Sequence, residues 1–238
     1  MSVLTTIRQS TVKNSGLVTS VADVGDGLRR LAFAPHQAEL TWRPGQALAV
    51  VVDPTGRRMK DRWRHYTIRR RDPDDGALEL LVALHDDPGP GARWAAGLSP
   101  GDEFTFMGPG GGPALEGHDA PTLVVGDRTS AASAGAILDA LDPATPAVAL
   151  LATPDPGAAD LDTSRASDVR WVAATSSEEI RSRLVESVAD VILEPDVRAY
   201  VTGERDAMRA VRGVLRDRGV PKRRIGVHAH WTPGRTGM

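Results

Sequence analysis

The stretch Arg64-His65-Tyr66-Thr67-Ile68-Arg69 lies between two apolar, strand-like runs at 46–52 and 78–84. On a strand, Arg64 and Tyr66 share one face, while His65 and Thr67 use the other. A guanidinium can grip a diphosphate through two parallel hydrogen bonds, and a tyrosine ring can stack on an isoalloxazine. A threonine hydroxyl can bond to the polar edge of that ring. The stretch is suited to a flavin site on a β-strand, although by itself it favours a half-buried strand with a solvated basic flank, and only the motifs that follow shift the balance.

A Gly/Pro-rich segment at 85–96 comes next and leads into a short stretch with helical character. Glycines let the backbone approach a phosphate, and the free N–H groups of a helix start attract an anion. We therefore expect the backbone of Gly89, Gly91 and Ala92 to cradle a phosphate. Further Gly/Pro turns at 100–102 and 108–112 bracket one apolar-alternating strand.

The composition narrows the classes of protein to which the chain can belong. Its 238 residues include no cysteine, which excludes disulfides, thiolate nucleophiles and cysteine-held iron–sulfur clusters. A net charge of −2 argues against a nucleic-acid partner. No run approaches the ~20 apolar residues of a membrane span, and no signal-peptide core is present. We expect a cytoplasmic protein with no membrane partner, and the sequence carries no signal for an oligomeric state.

Positive charge concentrates around the motif, since residues 57–71 contain eight Lys or Arg and a single acid. Such a field attracts an anionic ligand, for example a diphosphate or a polyanionic metal chelate. The candidates for binding an anionic substrate precede the motif: Arg57, Arg58, Lys60 and Arg62. The alternative is a solvated loop whose arginines only aid solubility.

The first half of the chain has the pattern of a small antiparallel barrel. Short apolar runs alternate with Gly, Pro and Asp turns, as is typical of strands joined by hairpins. The candidate strands are 17–21, 28–33, 46–52, 65–70, 78–84 and 103–107. Six strands at this spacing predict an antiparallel six-stranded barrel over residues 1–112.

The second half alternates strands with helices. The candidate strands are 121–125, 147–152, 169–174, 198–202 and 225–230, and the candidate helices are 128–141, 177–188 and 204–219. This alternation predicts a doubly wound parallel sheet over residues 121–238. The Pro/Ala/Asp-rich segment at 153–167 is predicted to be a mobile loop.

The ordered motifs of the first half resemble those of the siderophore-interacting protein family. The series comprises Arg-x-Tyr-Thr at residue 64, Gly-Pro before Trp94 and Gly-Pro-Gly at residue 108. This family consists of FAD-dependent ferric-siderophore reductases related to the ferredoxin reductases. The resemblance extends from about Val18 to Gly234. It implies an FAD-binding-type barrel and an NAD(P)-binding-type second domain that presents NADPH or NADH as electron donor.

The resemblance also implies roles for individual residues of the barrel. Arg64 would grip the diphosphate of FAD, Tyr66 would stack on the flavin, and Thr67 would bond to its edge. His85 would lie beside the flavin, although a core histidine is an equal alternative. Trp94 is expected to pack under the short helix instead of contacting adenine.

The second half retains part of the family pattern. Gly126, Asp127 and Thr129 match the motif that follows the first strand of this domain, and Gly203-Glu204 matches a later one. By resemblance, the nicotinamide-side candidates are Asp127, Thr129, Gly203 and Glu204. Both carboxylates could equally cap helices, which the position of Glu204 favours.

Four positions depart from the family pattern. Arg128 stands where the family has glutamate, Ala132 where it has proline, and His230 where it has the tyrosine of a Tyr-Trp pair. Ala92 replaces a serine in the first half. His228 and His230 alternate on a strand and should share a face, but as a metal pair they lack a third ligand.

These observations leave three functions open. The first is an NAD(P)H-dependent flavin oxidoreductase that reduces Fe(III) in an anionic ferric siderophore and so releases iron. The second is a non-redox enzyme, such as a cyclase in a biosynthetic natural-product pathway, or a binder of another small organic metabolite, on a scaffold with an eroded nicotinamide site. The third is an electron-transfer or flavin-storage partner.

Overall fold

The computed structural model describes residues 13–37, 40–85, 89–112, 114–115, 117 and 119–234, without the side chains of residues 59 and 60. The chain divides after Ala114 into two compact units. Within the described residues, no helix is long and apolar enough to cross a membrane.

The first unit is a closed barrel of six antiparallel strands, as predicted. The strands are β1 (Asn14–Asp23), β2 (Leu28–Pro35), β3 (Ala47–Val51), β4 (Trp63–Arg71), β5 (Leu78–Ala83) and β6 (Glu103–Gly110). They pair in the order β1-β2-β5-β4-β3-β6. Two short helices accompany them: α1 (Met59–Arg62) between β3 and β4, and α2 (Pro90–Gly97) between β5 and β6.

Alternating side chains of these strands fill the barrel. Phe33, Phe104 and Phe106 form an aromatic cluster, with the ring centroids of Phe33 and Phe104 4.9 Å apart in an edge-on arrangement. Helix α2 covers this core, because the fully buried Ala95 packs into it. The predicted helical character of this segment is therefore confirmed, and its apolar face explains its position.

The second unit is a five-stranded parallel sheet with helices, also as predicted. Its strands are β7 (Thr122–Asp127), β8 (Ala147–Thr153), β9 (Val169–Ala173), β10 (Arg198–Glu204) and β11 (Ile225–Trp231). Its helices are α3 (Ala131–Ala140), α4 (Ser177–Asp190) and α5 (Arg205–Asp217), and single 3₁₀ turns lie at Arg128–Ser130, Ala166–Asp168 and Lys222–Arg224.

The strand order is β11-β10-β7-β8-β9, so β7 is central. The chain leaves β7 toward β8 and β9, and then crosses to β10 and β11 on the other side of β7. In open α/β sheets, ligands bind outside the carboxyl ends of the strands at such a reversal of order. The residues that end β7 and β10 therefore border the expected crevice.

The loop between β8 and β9 differs from the expectation of a mobile segment. Leu161 is only 2% exposed and anchors the middle of the loop. The guanidinium of Arg165 donates to the backbone oxygens of Thr145 (2.6 Å) and Asp142 (3.0 Å). The side chain of Arg165 thus bonds the loop to the turn that precedes β8. The Pro/Ala/Asp-rich composition of the loop does not reveal this contact.

Candidate functional site

In the barrel, strand β4 presents Arg64 and Tyr66 to the start of helix α2. A side chain at Gly91 would overlap the hydroxyl of Tyr66 and lie 3.0 Å from Cγ of Arg64. This confirms that the two motif residues share a face. It also explains the glycine, since only a residue without Cβ lets the helix approach β4 so closely.

The ring of Tyr66 is fixed by its neighbours. It stacks on Trp94 of α2 with centroids 5.5 Å apart and an interplanar angle of 17°, and Trp94 contacts Phe104 edge-on. Burial raises the pKa of Tyr66 well above its usual value, so its hydroxyl is neutral. Tyr66 nevertheless remains partly exposed, and a rigid, partly exposed aromatic ring suits stacking by a flavin. Trp94 packs under the helix, as expected.

The start of α2 has the features of an anion site. The helix begins at Pro90, and among the described residues, which leave out 86–88, no side chain caps its N-terminus. Arg64 approaches this end at Gly91, and its Nη1 donates to the backbone oxygen of Trp63 at 2.8 Å. A guanidinium beside a helix start combines a full positive charge with free N–H groups. These residues fit the diphosphate of FAD, with Gly89, Gly91 and the buried Ala92 contributing backbone.

The basic segment before the motif forms a closed loop. The N–H of Val52 donates to the backbone oxygen of Arg62 at 2.8 Å, which joins the two ends of the loop. Arg57 and Arg58 are exposed at its tip, and Arg62 is half-buried in α1. The side chain of Lys60 lies outside the described residues. The loop therefore presents at least two arginines to solvent close in sequence to Arg64.

The two remaining flavin-site candidates of the barrel, Thr67 and His85, are at least partly exposed in the described structure. Thr67 is half-buried on β4, and His85 is exposed just beyond the end of β5. His65 is exposed on the opposite face of β4 from Tyr66, and partial burial of its ring and the charge of Arg64 lower its pKa. Roles of Thr67 and His85 toward a flavin stay predictions.

In the second unit, Asp127 is a structural clamp. Its Oδ1 accepts from the backbone N–H (2.8 Å) and hydroxyl (2.5 Å) of Thr129. Its Oδ2 accepts from the N–H of Glu204 (2.7 Å) and from Nε1 of Trp231 (2.9 Å). The carboxylate is 2% exposed and joins the carboxyl ends of β7, β10 and β11. The carboxylate is thus engaged by donors of the chain itself, and a role of Asp127 toward a nicotinamide stays a prediction.

The two residues of the Gly-Glu motif serve the same junction. Gly203 has a φ of 113°, and a Cβ there would lie 2.5 Å from Oδ2 of Asp127. Glu204 ends β10, and its side chain accepts from the N–H groups of Asp206 (3.0 Å) and Ala207 (2.7 Å). Glu204 thus caps α5, in agreement with the alternative drawn from the sequence.

His230, a departure from the family pattern that is not among the nicotinamide-side candidates, lies at the same junction. Its Nδ1 lies 3.1 Å from the backbone oxygen and 3.3 Å from the hydroxyl of Thr129. Its ring is 5.7 Å from that of His228, which confirms that the two histidines share a face. Burial lowers the pKa of His230 to about 4, with Asp127 opposing and His228 reinforcing this shift. The sequence signal that could have pointed to His230 is its position at the end of a predicted parallel strand, because ligands bind outside such strand ends.

The departures from the family pattern do not all surround one ligand. Ala132 is 3% exposed in α3, so the loss of proline there concerns packing of the core. Arg128 directly precedes Thr129 in the chain, and His230 is hydrogen-bonded to Thr129. Only these two changes alter the chemistry at the carboxyl end of the sheet.

The fold and the barrel site define the class of protein. A six-stranded barrel followed by a parallel α/β unit is a ferredoxin-reductase-like fold. Two family matches specify it further. Residues 3–113 match the siderophore-interacting FAD-binding domain, and residues 120–234 match the siderophore-interacting protein family. The chain belongs to the siderophore-interacting protein family.

Individual relatives agree with this assignment. The chain is 28% identical over 191 residues to the mycobactin import ATP-binding/permease protein IrtA of Mycolicibacterium smegmatis, covering 77% of this chain but only 21% of that relative. It is 28% identical to the uncharacterized protein Rv2895c of Mycobacterium tuberculosis over 93% of this chain and 83% of the relative. The structure of the siderophore-interacting protein SipS from Aeromonas hydrophila is similar with a TM-score of 0.78, at 25% identity and over 94% and 92% of the two chains.

Proposed function

We propose that this protein is a cytoplasmic NAD(P)H-dependent flavin oxidoreductase that reduces Fe(III) in a ferric siderophore. The observation that carries the proposal is the placement of Arg64 beside the start of α2, next to the fixed ring of Tyr66. The family and the similarity to IrtA, a mycobactin import ATP-binding/permease protein, support an iron chelate as the substrate class.

The residues of the barrel hold and orient the cofactor. Arg64 and the first N–H groups of α2 bind the diphosphate, and Tyr66, held by Trp94, stacks on the ring system. Thr67 supplies a hydrogen bond to the polar edge of the ring. A bound FAD would supply the conversion between the two-electron donor NAD(P)H and one-electron transfer to Fe(III).

The basic loop recruits the substrate. Arg57 and Arg58 are exposed at its tip and, with Lys60 and Arg62, attract an anionic ferric chelate. Each Fe(III) takes one electron, so two chelates are reduced for each NAD(P)H oxidised. Fe(II) binds the hard oxygen ligands of a chelate less tightly, and reduction therefore releases the metal.

A visible absorption spectrum of the purified chain tests this proposal. Flavin bands should be present or appear on adding FAD, bleach with NADPH or NADH without oxygen, and recover when a ferric chelate is added. Bound flavin that neither nucleotide bleaches would instead indicate an electron-transfer or storage partner. A colourless protein that ignores FAD would contradict the proposal and favour a non-redox enzyme, such as a cyclase.

The substitution Arg64→Ala tests the cofactor site directly. Loss of the two-pronged grip should weaken FAD binding by about 1.5–3 kcal/mol, measured by flavin fluorescence titration. Arg58→Ala is the matched control, because it removes an exposed arginine of the neighbouring loop. It should leave FAD affinity unchanged and raise the KM for the anionic chelate. Equal FAD affinity in Arg64→Ala and the unaltered protein would mean that the motif is structural.

A further inference from the structure

Two side chains of β11 reach across β10 to the end of β7. Trp231 donates to Asp127 and His230 contacts Thr129, although β11 is hydrogen-bonded to β10 and not to β7. Gly203 of β10 lies between β11 and the end of β7, and it has no side chain that would block these contacts. His230 therefore stands at the reversal of strand order, where α/β sheets of this kind bind ligands.

The backbone of β11 directs His230 toward this crevice. Gly203 pairs with Ala229 and Glu204 with Trp231, so His230 is an extra residue in the register between β10 and β11. Such a bulge redirects a side chain and is common beside functional sites. The bulge brings the imidazole to Thr129, and the side chain remains partly exposed.

The hydrogen bonds of His230 determine its tautomer. The backbone oxygen of Thr129 can only accept, so Nδ1 carries the proton and donates to it. The hydroxyl of Thr129 donates to Asp127 and can accept from the same Nδ1 proton. In a neutral imidazole, Nε2 then bears a lone pair. No hydrogen bond from Nε2 to the described part of the chain accompanies these contacts.

The neutral form prevails near pH 7. Burial lowers the pKa of His230 to about 4; the facing groups are Asp127 on β7, which raises it, and His228 on β11, which lowers it further. His230 thus offers an acceptor at a place where the family has a tyrosine. An acceptor there selects a ligand with an N–H donor.

We propose that His230 positions the nicotinamide: its Nε2 accepts a hydrogen bond from the carboxamide N–H₂ of NAD(P)H bound at the carboxyl ends of β7 and β10. This inference rests on the proposed function, because it requires that the second unit binds a nicotinamide nucleotide. It assigns to His230 orientation of the reacting ring and no proton transfer.

Two amide substitutions separate the two nitrogens of the ring. In His230→Asn, the side-chain amide can still donate to Thr129 but has no group at the position of Nε2. In His230→Gln, the amide oxygen reaches the position of Nε2 and keeps the acceptor. His228→Asn is the control, because it changes the other histidine on the same face.

The experiment measures binding by calorimetry to the full chain loaded with FAD, near neutral pH. The ligands are NAD⁺ and NADP⁺, their 3-acetylpyridine analogues, in which a methyl group replaces the carboxamide N–H₂, and the corresponding ADP-riboses, which lack the ring. The unaltered protein, His230→Gln and His228→Asn should prefer the carboxamide by about two- to tenfold. His230→Asn should lose this preference, and all four proteins should bind the ADP-riboses alike.

The outcomes distinguish the two proposals. A carboxamide preference that persists in His230→Asn overturns the role of His230 and leaves the proposed function intact. The role of His230 is equally overturned if the unaltered protein binds the acetylpyridine analogue as tightly as the parent nucleotide. If neither NAD⁺, NADP⁺ nor the ADP-riboses bind, the NAD(P)H-dependent function itself fails, and the inference fails with it.

Discussion

The barrel site and the crevice of the α/β unit both match family motifs, but they use their polar side chains differently. In the barrel, Arg64 and Tyr66 are braced from behind by α2 and remain partly exposed. In the α/β unit, the carboxylates of Asp127 and Glu204 are buried and occupied by N–H and O–H donors of the chain itself. A motif match therefore locates a site without telling which side chains remain available to a ligand.

The difference follows from the two kinds of scaffold. A barrel closes the hydrogen bonds of its own strands, so side chains such as Arg64 and Tyr66 are not needed to satisfy strand ends. A parallel sheet leaves strand ends and helix starts with unpaired N–H groups, and these need acceptors. Asp127 satisfies three strand ends at once, and Glu204 satisfies the start of α5.

The substitution with the largest expected effect on stability is Asp127→Ala. Removing the carboxylate leaves the N–H of Glu204 and Nε1 of Trp231 without their acceptor in a buried site. We expect a loss of about 3–5 kcal/mol in the free energy of unfolding, measured by urea denaturation with far-ultraviolet circular dichroism. By contrast, Arg64→Ala should change FAD affinity and hardly change stability.

Asp142→Ala is the matched control, because its carboxylate accepts from Ala144 in an exposed turn of the same unit. It should cost no more than about 1 kcal/mol. Equal losses in Asp127→Ala and Asp142→Ala would show that Asp127 does not clamp the strand ends, and Asp127 would again be a candidate for direct contact with a ligand.

The second test concerns the glycine beneath the clamp. In Gly203→Ala, the new Cβ would crowd Oδ2 of Asp127 at 2.5 Å and force a residue with a side chain to a φ of 113°. We expect a loss of about 2–4 kcal/mol in the free energy of unfolding. Gly213→Ala lies within α5 with no atom near the new Cβ, so it should stabilise by about 0.5–1 kcal/mol. If Gly203→Ala and Gly213→Ala changed the free energy of unfolding in the same direction, the special role of Gly203 beside Asp127 would be contradicted.

Most of the fold could be predicted from the sequence. Periods of two and of 3.6 residues located the six strands of the barrel and the alternating strands and helices behind it, with ends displaced by a few residues. One displacement has consequences: β10 continues through Glu204, so this residue ends a strand and caps the helix that follows. Boundaries of this kind depend on hydrogen bonds between strands, which a local pattern does not contain.

The site was less predictable. Arg64 and Tyr66 are two residues apart on one strand, so periodicity alone placed them together. The contacts of Asp127 with Trp231 and of Thr129 with His230 join residues 104 and 101 positions apart. They depend on strand order and on a bulge at His230, and neither feature has a local sequence signal. That is why the family motifs point to Asp127 and Glu204 as candidates and mark His230 only as a departure from the pattern.

The prediction with the smallest expected effect concerns the pH dependence of stability that arises from His230. Its pKa is about 4 in the folded chain against 6.5 in the unfolded one, so between these values the unfolded state binds more protons. Stability should therefore rise with pH between about 4 and 6.5 and stay level above that range. In His230→Asn, urea denaturation across this range should show a correspondingly shallower slope. Gly213→Ala, which adds and removes no titrating group, should keep the slope of the unaltered protein. If His230→Asn keeps it too, the imidazole is hydrated in the folded chain, and the crevice is as open as the barrel site.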